Sequence, residues 1–183
     1  MDALTHALRQ FARMQVPYAV MGGLAVRIYA IPRPTYDLDF TLAIDRYRLP
    51  ELYRALDSEG YTVLDPYLRG WIDEVAGMPL VKFRLYLGAE GVDVDVFLAE
   101  SPYQHELIAR RRVEDIDGTP VCFVSPEDLV LLKLVARRPR DISDVADVLF
   151  TQGQFDEAYL RRWAGELGVS DALDEVLRQF NAQ

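Results

Sequence analysis

The sequence predicts an α+β fold, in which a mixed β-sheet carries helices on one face and is followed by C-terminal helices. Residues 18–45 read as a strand, a glycine turn, a helix and a second strand. Residues 80–97 hold two runs of alternating apolar and polar residues around a Gly-containing connection, which is typical of a β-hairpin. Helical patterns dominate residues 126–183. We therefore expect a core at residues 1–125, with the remaining helical region packed on it.

The glycine turn is the first chemical signal in the chain. A short apolar strand at residues 18–21 runs into Gly22 and Gly23, and a helix-length stretch follows. Paired glycines permit a sharp turn and leave backbone N–H groups accessible at a helix N-terminus. A phosphate group can bind there without help from a side chain.

Two aspartates follow on the next predicted strand, residues 36–44. Asp37 and Asp39 are two positions apart, so both side chains should point to one face of the sheet, about 7 Å apart along the backbone. Such carboxylates can converge on a pair of divalent cations, which lie about 3.5–4 Å apart in two-metal phosphoryl-transfer sites. A phosphate-binding turn beside a metal-binding pair indicates a nucleoside triphosphate as the ligand.

The returning strand of the predicted hairpin supplies a third carboxylate. Asp93 and Asp95 share one face of this strand, while valines occupy the other. Simple exposure to solvent would account for both aspartates, but aspartate is a poor strand former. If this strand lies beside the one that carries Asp39, a third carboxylate comes within about 5 Å. The alternation alone does not decide between Asp93 and Asp95.

A nearly all-apolar helix is predicted after Ser125, which is a favourable N-cap followed by proline. Lys133 is the one charged residue between positions 129 and 136. Because burying an unpaired ammonium group is costly, Lys133 must extend to solvent or meet an anion. Asp141 is predicted to be the N-cap of the next helix.

Two connecting segments have weaker signals. Residues 113–124 read as a hairpin with its turn at Asp117 and Gly118. Residues 65–77 lack clean periodicity and are predicted to form a loop near the entrance of the site. The run at residues 110–112 consists of three arginines, which we interpret as a solvated face. A basic lip for RNA is the alternative, and Arg137, Arg138 and Arg140 could contribute to it.

A set of six residues between positions 22 and 39 resembles the signature of the nucleotidyltransferases related to DNA polymerase beta. Within that superfamily, the sequence is most similar to the small bacterial group that includes abortive-infection and toxin–antitoxin nucleotidyltransferases. The resemblance covers residues 18–149. Its motif is a glycine pair after a strand, then an Arg-x-Thr-x-Asp-x-Asp segment: Gly22, Gly23, Arg33, Thr35, Asp37 and Asp39.

The resemblance implies the nucleotidyltransferase fold and a role for each residue. It implies that Asp37, Asp39 and Asp95 are catalytic and hold two Mg²⁺ ions, with Mn²⁺ as an alternative. Asp95 is favoured over Asp93 because the residues after it match the family. The implied nucleotide-binding residues are Gly22, Gly23, Arg33, Thr35 and Lys133.

The expected function is transfer of a nucleoside monophosphate from a nucleoside triphosphate such as ATP to an acceptor hydroxyl. RNA such as a transfer RNA, a small molecule or a protein could supply that hydroxyl. The alternative is a non-catalytic nucleotide-binding module of a toxin–antitoxin pair, with a protein partner. A third interpretation is a structural domain whose aspartates are merely solvated.

Composition narrows the class of protein. A net charge of −9 argues against coating of nucleic acid, although a local basic groove is compatible with it. No stretch approaches the roughly 20 apolar residues of a membrane span, and we expect a cytoplasmic protein. The single cysteine cannot form an internal disulfide, and two distant histidines argue against a zinc site or a histidine-based triad.

Overall fold

The computed structural model describes residues 3–87 and 90–181. The predicted hairpin connection at residues 88–91 falls partly on residues 88 and 89, which lie outside the described residues. Numbered in chain order, the helices are α1 Ala3–Arg13, α2 Gly22–Tyr29, α3 Leu49–Asp57, α4 Asp65–Leu68, α5 Pro102–Arg110, α6 Pro126–Ala136, α7 Pro139–Gln152, α8 Glu157–Glu166 and α9 Ser170–Asn181. The strands are β1 Tyr18–Val20, β2 Leu38–Leu42, β3 Tyr61–Val63, β4 Asp73–Val75, β5 Met78–Leu87, β6 Glu90–Leu98, β7 Arg112–Ile116 and β8 Thr119–Phe123.

The strands form one mixed sheet in the order β3-β5-β6-β2-β1-β8-β7, with β4 paired to β5. The pairs β2–β6 and β1–β8 are parallel, and the other pairs are antiparallel. The mixed sheet and the α+β class predicted from the sequence are therefore confirmed. The hairpin of β7 and β8 is confirmed as well, since Asp117 and Gly118 both have positive φ at its turn.

One row of residues crosses the centre of the sheet. Asp39 on β2 is the direct register partner of Asp95 on β6. Asp95 is in turn paired with Lys82 on β5. On the other side of β2, the Met21 N–H donates to the Asp39 carbonyl oxygen over 2.9 Å, which places the glycine turn at the end of the row. Directly paired residues point to the same face of a sheet, so this row brings the ionisable side chains together.

Two local predictions need correction. Strand β2 begins at Leu38, so Asp37 precedes the strand and is exposed instead of pointing from the pleat with Asp39. The predicted loop at residues 65–77 contains the short helix α4 and the strand β4, which pairs with β5 through Asp73 and Leu80. A strand of three residues is too short for its alternation to stand out from a loop.

The C-terminal helices join the core through α6, which contacts α2, α7 and α8 and in which the residues from Pro126 to Leu134 are buried. The predicted Ser125 cap is confirmed, because its hydroxyl accepts a hydrogen bond from the Asp128 N–H over 3.1 Å. One hydrophobic core extends from α1 to α9 and joins both predicted regions. In the described residues, no helix combines the length and the apolar character needed to cross a membrane.

Candidate functional site

A cleft of about 490 Å³ lies where β1 runs into α2 and where β2 begins. One wall comes from the sheet and the β4–β5 turn, and the other from the C-terminal half of α6 and the start of α7. The structure brings every residue of the predicted site to this cleft: Gly22, Gly23, Arg33, Thr35, Asp37, Asp39, Asp95 and Lys133. Their roles in binding and catalysis stay predictions.

At the glycine turn, the backbone lies very close to the side chains of two site residues. Gly22 has a φ of +63°, and a Cβ atom placed on it would overlap the carboxylate of Asp39. A Cβ atom on Gly23 would overlap the hydroxyl of Thr35. Helix α2 begins at Gly22 with no side-chain hydrogen bond from its N-cap, Met21. The first N–H groups of α2 therefore face the cleft region without a capping side chain, as an anion-binding helix start requires.

Gly22→Ala should lower the free energy of unfolding by about 2–4 kcal/mol, since it combines left-handed strain with overlap at Asp39. The matched control is Gly118→Ala, because Gly118 also has positive φ but meets nothing within 4 Å. That control should lose only about 1–2 kcal/mol. Urea denaturation of both variants measures the difference, and equal losses would mean that the approach to Asp39 costs nothing.

The carboxylates occupy different electrostatic environments. Burial, together with the neighbouring charges of Asp37 and Asp95, raises the pKa of Asp39 to about 6. Burial also acts to raise the pKa of Asp37, but the hydrogen bond from the Thr35 hydroxyl, 3.0 Å long, and backbone N–H groups lower it below its usual range. The Asp95 carboxylate accepts a hydrogen bond from the Lys82 ammonium over 2.7 Å.

These carboxylates fit a divalent cation by their chemistry. Carboxylate oxygens are the ligands that Mg²⁺ and Mn²⁺ take in proteins. The raised pKa of Asp39 has burial as its main cause, and the charges of Asp37 and Asp95 add to it, so a bound cation would favour the ionised carboxylate. Among residues 3–87 and 90–181, no three His, Cys, Asp or Glu side chains already surround a common metal position. Asp37, Asp39 and Asp95 are the residues that would hold such an ion.

The structure places Asp93 and Asp95 in different surroundings. Asp93 forms an ion pair with Arg84 over 3.0 Å and does not line the cleft, whereas Asp95 does. This placement agrees with the preference for Asp95, although the choice of metal ligand stays a prediction.

Lys133 is held by two aspartates that were not assigned to the site from the sequence. Its ammonium lies 2.8 Å from Asp141 Oδ1 and 2.7 Å from Asp144 Oδ2, and its side chain is 5% exposed. The Arg33 guanidinium donates two hydrogen bonds of 2.8 Å to Asp144. Arg138 donates to Asp141 in the same way over 2.7 Å. We define these five residues as the cleft ion network.

Asp141 is not the N-cap of α7, contrary to the prediction. The N-cap is Arg138, and Asp141 lies three positions later, where its carboxylate accepts from the Arg138 N–H over 3.1 Å. An aspartate at this position can reach back to the cap, and the same carboxylate also faces Lys133.

Lys82 and Asp144 were missed, besides the misassigned Asp141, and two further charged residues were considered from the sequence only as contacts to RNA. A signal existed for Lys82, which alternates onto the polar face of β5 opposite Asp95. Asp144 is three residues after Asp141, so both lie on one face of α7. Arg138 and Arg140 line the cleft, but nothing in their spacing distinguished them from surface arginines.

The arginine run at residues 110–112 does not line the cleft. Arg110 and Arg112 lie 3.5 and 3.7 Å from the buried carboxylate of Glu127. The Arg110 guanidinium also stacks over the Tyr159 ring at 3.8 Å. These contacts tie α5 and β7 to α6 and α8, so the run is partly structural, and the RNA-lip alternative gains no support from its position.

Comparison with known proteins gives a likeness in structure. No protein-family model matches the sequence, and neither does any curated protein. An antigenic nucleotidyltransferase-like protein from Paracoccidioides brasiliensis has a TM-score of 0.54 at 18% identity, with 96% of this chain and 91% of that chain covered. ANT(2'')-Ia, solved in complex with adenylyl-2''-tobramycin, has a TM-score of 0.54 at 18% identity and 93% coverage of both chains. The lincosamide antibiotic adenylyltransferase LnuA, solved with lincomycin, has a TM-score of 0.51 at 15% identity, with 79% of this chain and 93% of that chain covered.

Proposed function

We propose that this chain, which has the nucleotidyltransferase fold, catalyses metal-dependent transfer of a nucleoside monophosphate from a nucleoside triphosphate to an acceptor hydroxyl. The observation that carries the proposal is the row in which Asp39 and Asp95 are direct partners beside the glycine turn. That row puts an anion-binding helix start next to a cluster of three carboxylates. Nucleotidyl transfer is a reaction that needs both.

The residues divide into a phosphate-binding set and a charge-neutralising set. In the proposal, the N–H groups at Gly22 and Gly23 and the Lys133 ammonium hold the triphosphate. When bound by Asp37, Asp39 and Asp95, a divalent cation supplies neutralisation of phosphate charge and polarisation of the acceptor hydroxyl. Catalysis then consists mainly of positioning and electrostatic stabilisation, which requires no nucleophilic side chain.

The cleft ion network fixes the phosphate side of this arrangement. Lys133 has little freedom to move, since two aspartates hold its ammonium and Arg33 ties one of them to the loop before β2. A cation fixed in place before the substrate arrives loses less conformational entropy on binding. Asp141 and Asp144 therefore act as positioning residues for Lys133.

Arg140 is the one cleft-lining cation without an ion pair in the described part of the chain. Its charge acts on Asp37 and lowers the pKa of that carboxyl. An exposed, unpaired guanidinium at the cleft is suited to bidentate contact with phosphate oxygens. We assign it to the triphosphate, on the side where pyrophosphate leaves.

Arg140→Gln should weaken nucleoside triphosphate binding about tenfold or more, because a charged hydrogen bond to phosphate is lost. The matched control is Arg137→Gln, since Arg137 is exposed nearby but does not line the cleft. Isothermal titration calorimetry with a non-hydrolysable ATP analogue and Mg²⁺ compares the variants. Equal dissociation constants for both variants would remove Arg140 from the site.

The expectations about localisation, partners and acceptor also belong to this proposal. The chain would work in the cytoplasm, where nucleoside triphosphates are available. A protein partner of the toxin–antitoxin kind and a purely nucleotide-binding role stay predictions. Two of the structures named above, ANT(2'')-Ia and LnuA, were solved with an antibiotic ligand or adduct, which describes those proteins and leaves the acceptor of this chain to be identified.

Label transfer tests the proposed function. Each of four α-labelled nucleoside triphosphates is incubated with Mg²⁺ or Mn²⁺ and with RNA, protein or small-molecule extract, beside an Asp37→Asn, Asp39→Asn double variant. Label moving onto an acceptor with the wild type alone supports the proposal. Nucleotide binding without transfer would favour the non-catalytic module, and equal labelling by the double variant would refute the assigned site.

A further inference from the structure

We propose that the β5 side of the cleft is the acceptor subsite, and that Lys82 selects an acceptor whose reacting hydroxyl lies beside an anionic group such as a phosphate. This inference rests on the proposed function and specifies its substrate class. It follows from the order of charged residues across the sheet and from the direction of attack that phosphoryl transfer requires.

The order across the sheet is fixed by the strand register. From the glycine turn, the row passes through Asp39 on β2 and Asp95 on β6 and ends at Lys82 on β5. Neighbouring strands are about 4.8 Å apart, so the backbone of Lys82 is roughly 10 Å from that of Asp39. The carboxylates thus lie between the glycine turn and Lys82.

The direction of attack follows from the chemistry. In phosphoryl transfer, the attacking and leaving oxygens are roughly in line on opposite sides of the phosphorus. The proposed triphosphate site, with Gly22 and Lys133, holds the leaving pyrophosphate on the β1 and α6 side. The attacking hydroxyl therefore approaches from the β5 side, past Asp95.

Charge on the β5 side identifies the acceptor class. The described residues that line the cleft include five cations and three carboxylates. Three of the cations, Arg33, Lys133 and Arg138, are paired with aspartates of α7 on the phosphate side. Lys82 is the cleft cation contributed by β5; its ammonium is paired with Asp95 over 2.7 Å, and its side chain is 34% exposed. A divalent cation held by Asp95 would take up the charge of that carboxylate, so the Lys82 ammonium would then attract an anionic acceptor and repel a polycation.

The rest of the β5 wall is apolar and adds no acidic side chain to the cleft lining. Val75, Ala76 and Met78 line it from the β4–β5 turn. Such a wall accommodates a carbon skeleton but offers no carboxylate to an amino sugar.

The same two strands provide a matched control. Arg84 and Asp93 form an ion pair two positions along from Lys82 and Asp95, outside the cleft. A change at Arg84 removes a similar cross-strand pair without touching the proposed subsite. Lys82→Gln and Arg84→Gln therefore each remove one positive charge from β5, the first inside the cleft and the second outside it.

The experiment separates a cell extract by ion exchange into cationic, neutral and anionic small-molecule fractions, with total RNA as a fourth arm. Each arm is incubated with α-labelled nucleoside triphosphate and Mg²⁺. Wild-type label should appear in the anionic small-molecule arm or the RNA arm, which tells a phosphorylated metabolite from a nucleic acid end. With that labelled acceptor, Lys82→Gln should raise the acceptor KM about tenfold or more and leave the triphosphate KM unchanged.

Lys82→Arg keeps the charge and should retain most of the acceptor affinity, while Arg84→Gln should behave as wild type. Melting temperatures verify that each variant is folded. Label in the cationic or neutral arm, or an unchanged acceptor KM in Lys82→Gln, would overturn the inference and leave nucleotidyl transfer standing. Absence of label from all arms with folded wild type would instead count against the proposed function and thus against both.

Discussion

Asp39→Asn is expected to lower nucleotidyl transfer at least about a hundredfold and, at the same time, to stabilise the metal-free protein at pH 7.5. The loss of transfer follows because asparagine removes a negative charge from the centre of the proposed metal-binding group. The gain in stability follows because Asp39 is held between Asp37 and Asp95 in a buried setting that raises its pKa to about 6. Ionisation of Asp39 therefore destabilises the folded protein relative to the unfolded chain.

The sign of the pH dependence follows from that raised pKa. The ordinary pKa of the group is 3.8, so between about pH 4 and pH 6 the folded state binds a proton more tightly than the unfolded state. The penalty is absent below about pH 4, grows between pH 4 and pH 6 and is complete above about pH 6. At pH 7.5, Asp39→Asn should gain about 1–3 kcal/mol in the free energy of unfolding, and at pH 4 it should gain nothing.

Urea denaturation at pH 4, 6 and 7.5 measures this difference, with Asp93→Asn as the control. Asp93 lies on the same strand as Asp95 but is paired with Arg84 outside the cleft. In addition, Mg²⁺ should raise the melting temperature of the wild type more than that of Asp39→Asn, since a bound cation relieves the same repulsion. An Asp39→Asn variant that is less stable than wild type at every pH would contradict the electrostatic account.

Asp141→Asn is expected to lower the free energy of unfolding by about 2–4 kcal/mol at pH 7. The Asp141 side chain is inaccessible to solvent and faces both Lys133 and Arg138. Asparagine leaves the buried Lys133 ammonium with Asp144 as its remaining carboxylate partner. Breaking a buried ion pair costs more than the pair contributes, because the other charge stays buried.

Acid should erase this difference. Burial acts to raise the pKa of Asp141, but hydrogen bonds from Arg138 and Lys133 outweigh it and lower the pKa to about 2. Because the ordinary pKa is 3.8, the contribution of Asp141 to stability is complete above about pH 4 and is lost as pH falls towards 2. Denaturation curves of wild type and Asp141→Asn should therefore converge in that interval.

A double-mutant cycle separates the ion pair from packing. Lys133→Met and Asp141→Asn should each destabilise the protein, and the double variant should lose at least about 1 kcal/mol less than the sum of the two. Asp147→Asn is the control on the same helix, since Asp147 has no ion pair in the described part of the chain. Additive losses would show that Lys133 and Asp141 do not stabilise each other.

The sequence was most informative where a local pattern reports directly on geometry. Alternation on β5 and β6 and the turn residues Asp117 and Gly118 predict strand pairing, and the two-residue spacing puts Asp93 and Asp95 on one face. The pairing of Asp39 with Asp95 was expected only if β2 and β6 were neighbours, and the structure makes them so. Local periodicity fixes faces, whereas the order of strands comes from tertiary packing.

The missed features all depend on contacts between distant elements. An aspartate at the start of α7 is already explained by helix capping. The sequence therefore provided no reason to expect that Asp141 also contacts Lys133 of α6. Arg33 and Asp144 are 111 positions apart, and only the packed fold shows their bidentate pair. Lys82 looked like a solvated lysine because the polar face of a strand and the wall of a cleft have the same sequence pattern.

The parallel pairing of β2 with β6 also has a consequence for protein synthesis. Asp39 emerges from the ribosome long before Asp95, and the aspartates that hold Lys133 follow only with α7. A nascent chain that ends before α7 contains the glycine turn and all three carboxylates but lacks the partners that fix the lysine. The cleft ion network therefore cannot form until the chain has been completed through residue 144, and under the proposed function tight nucleotide binding would require the same length of chain.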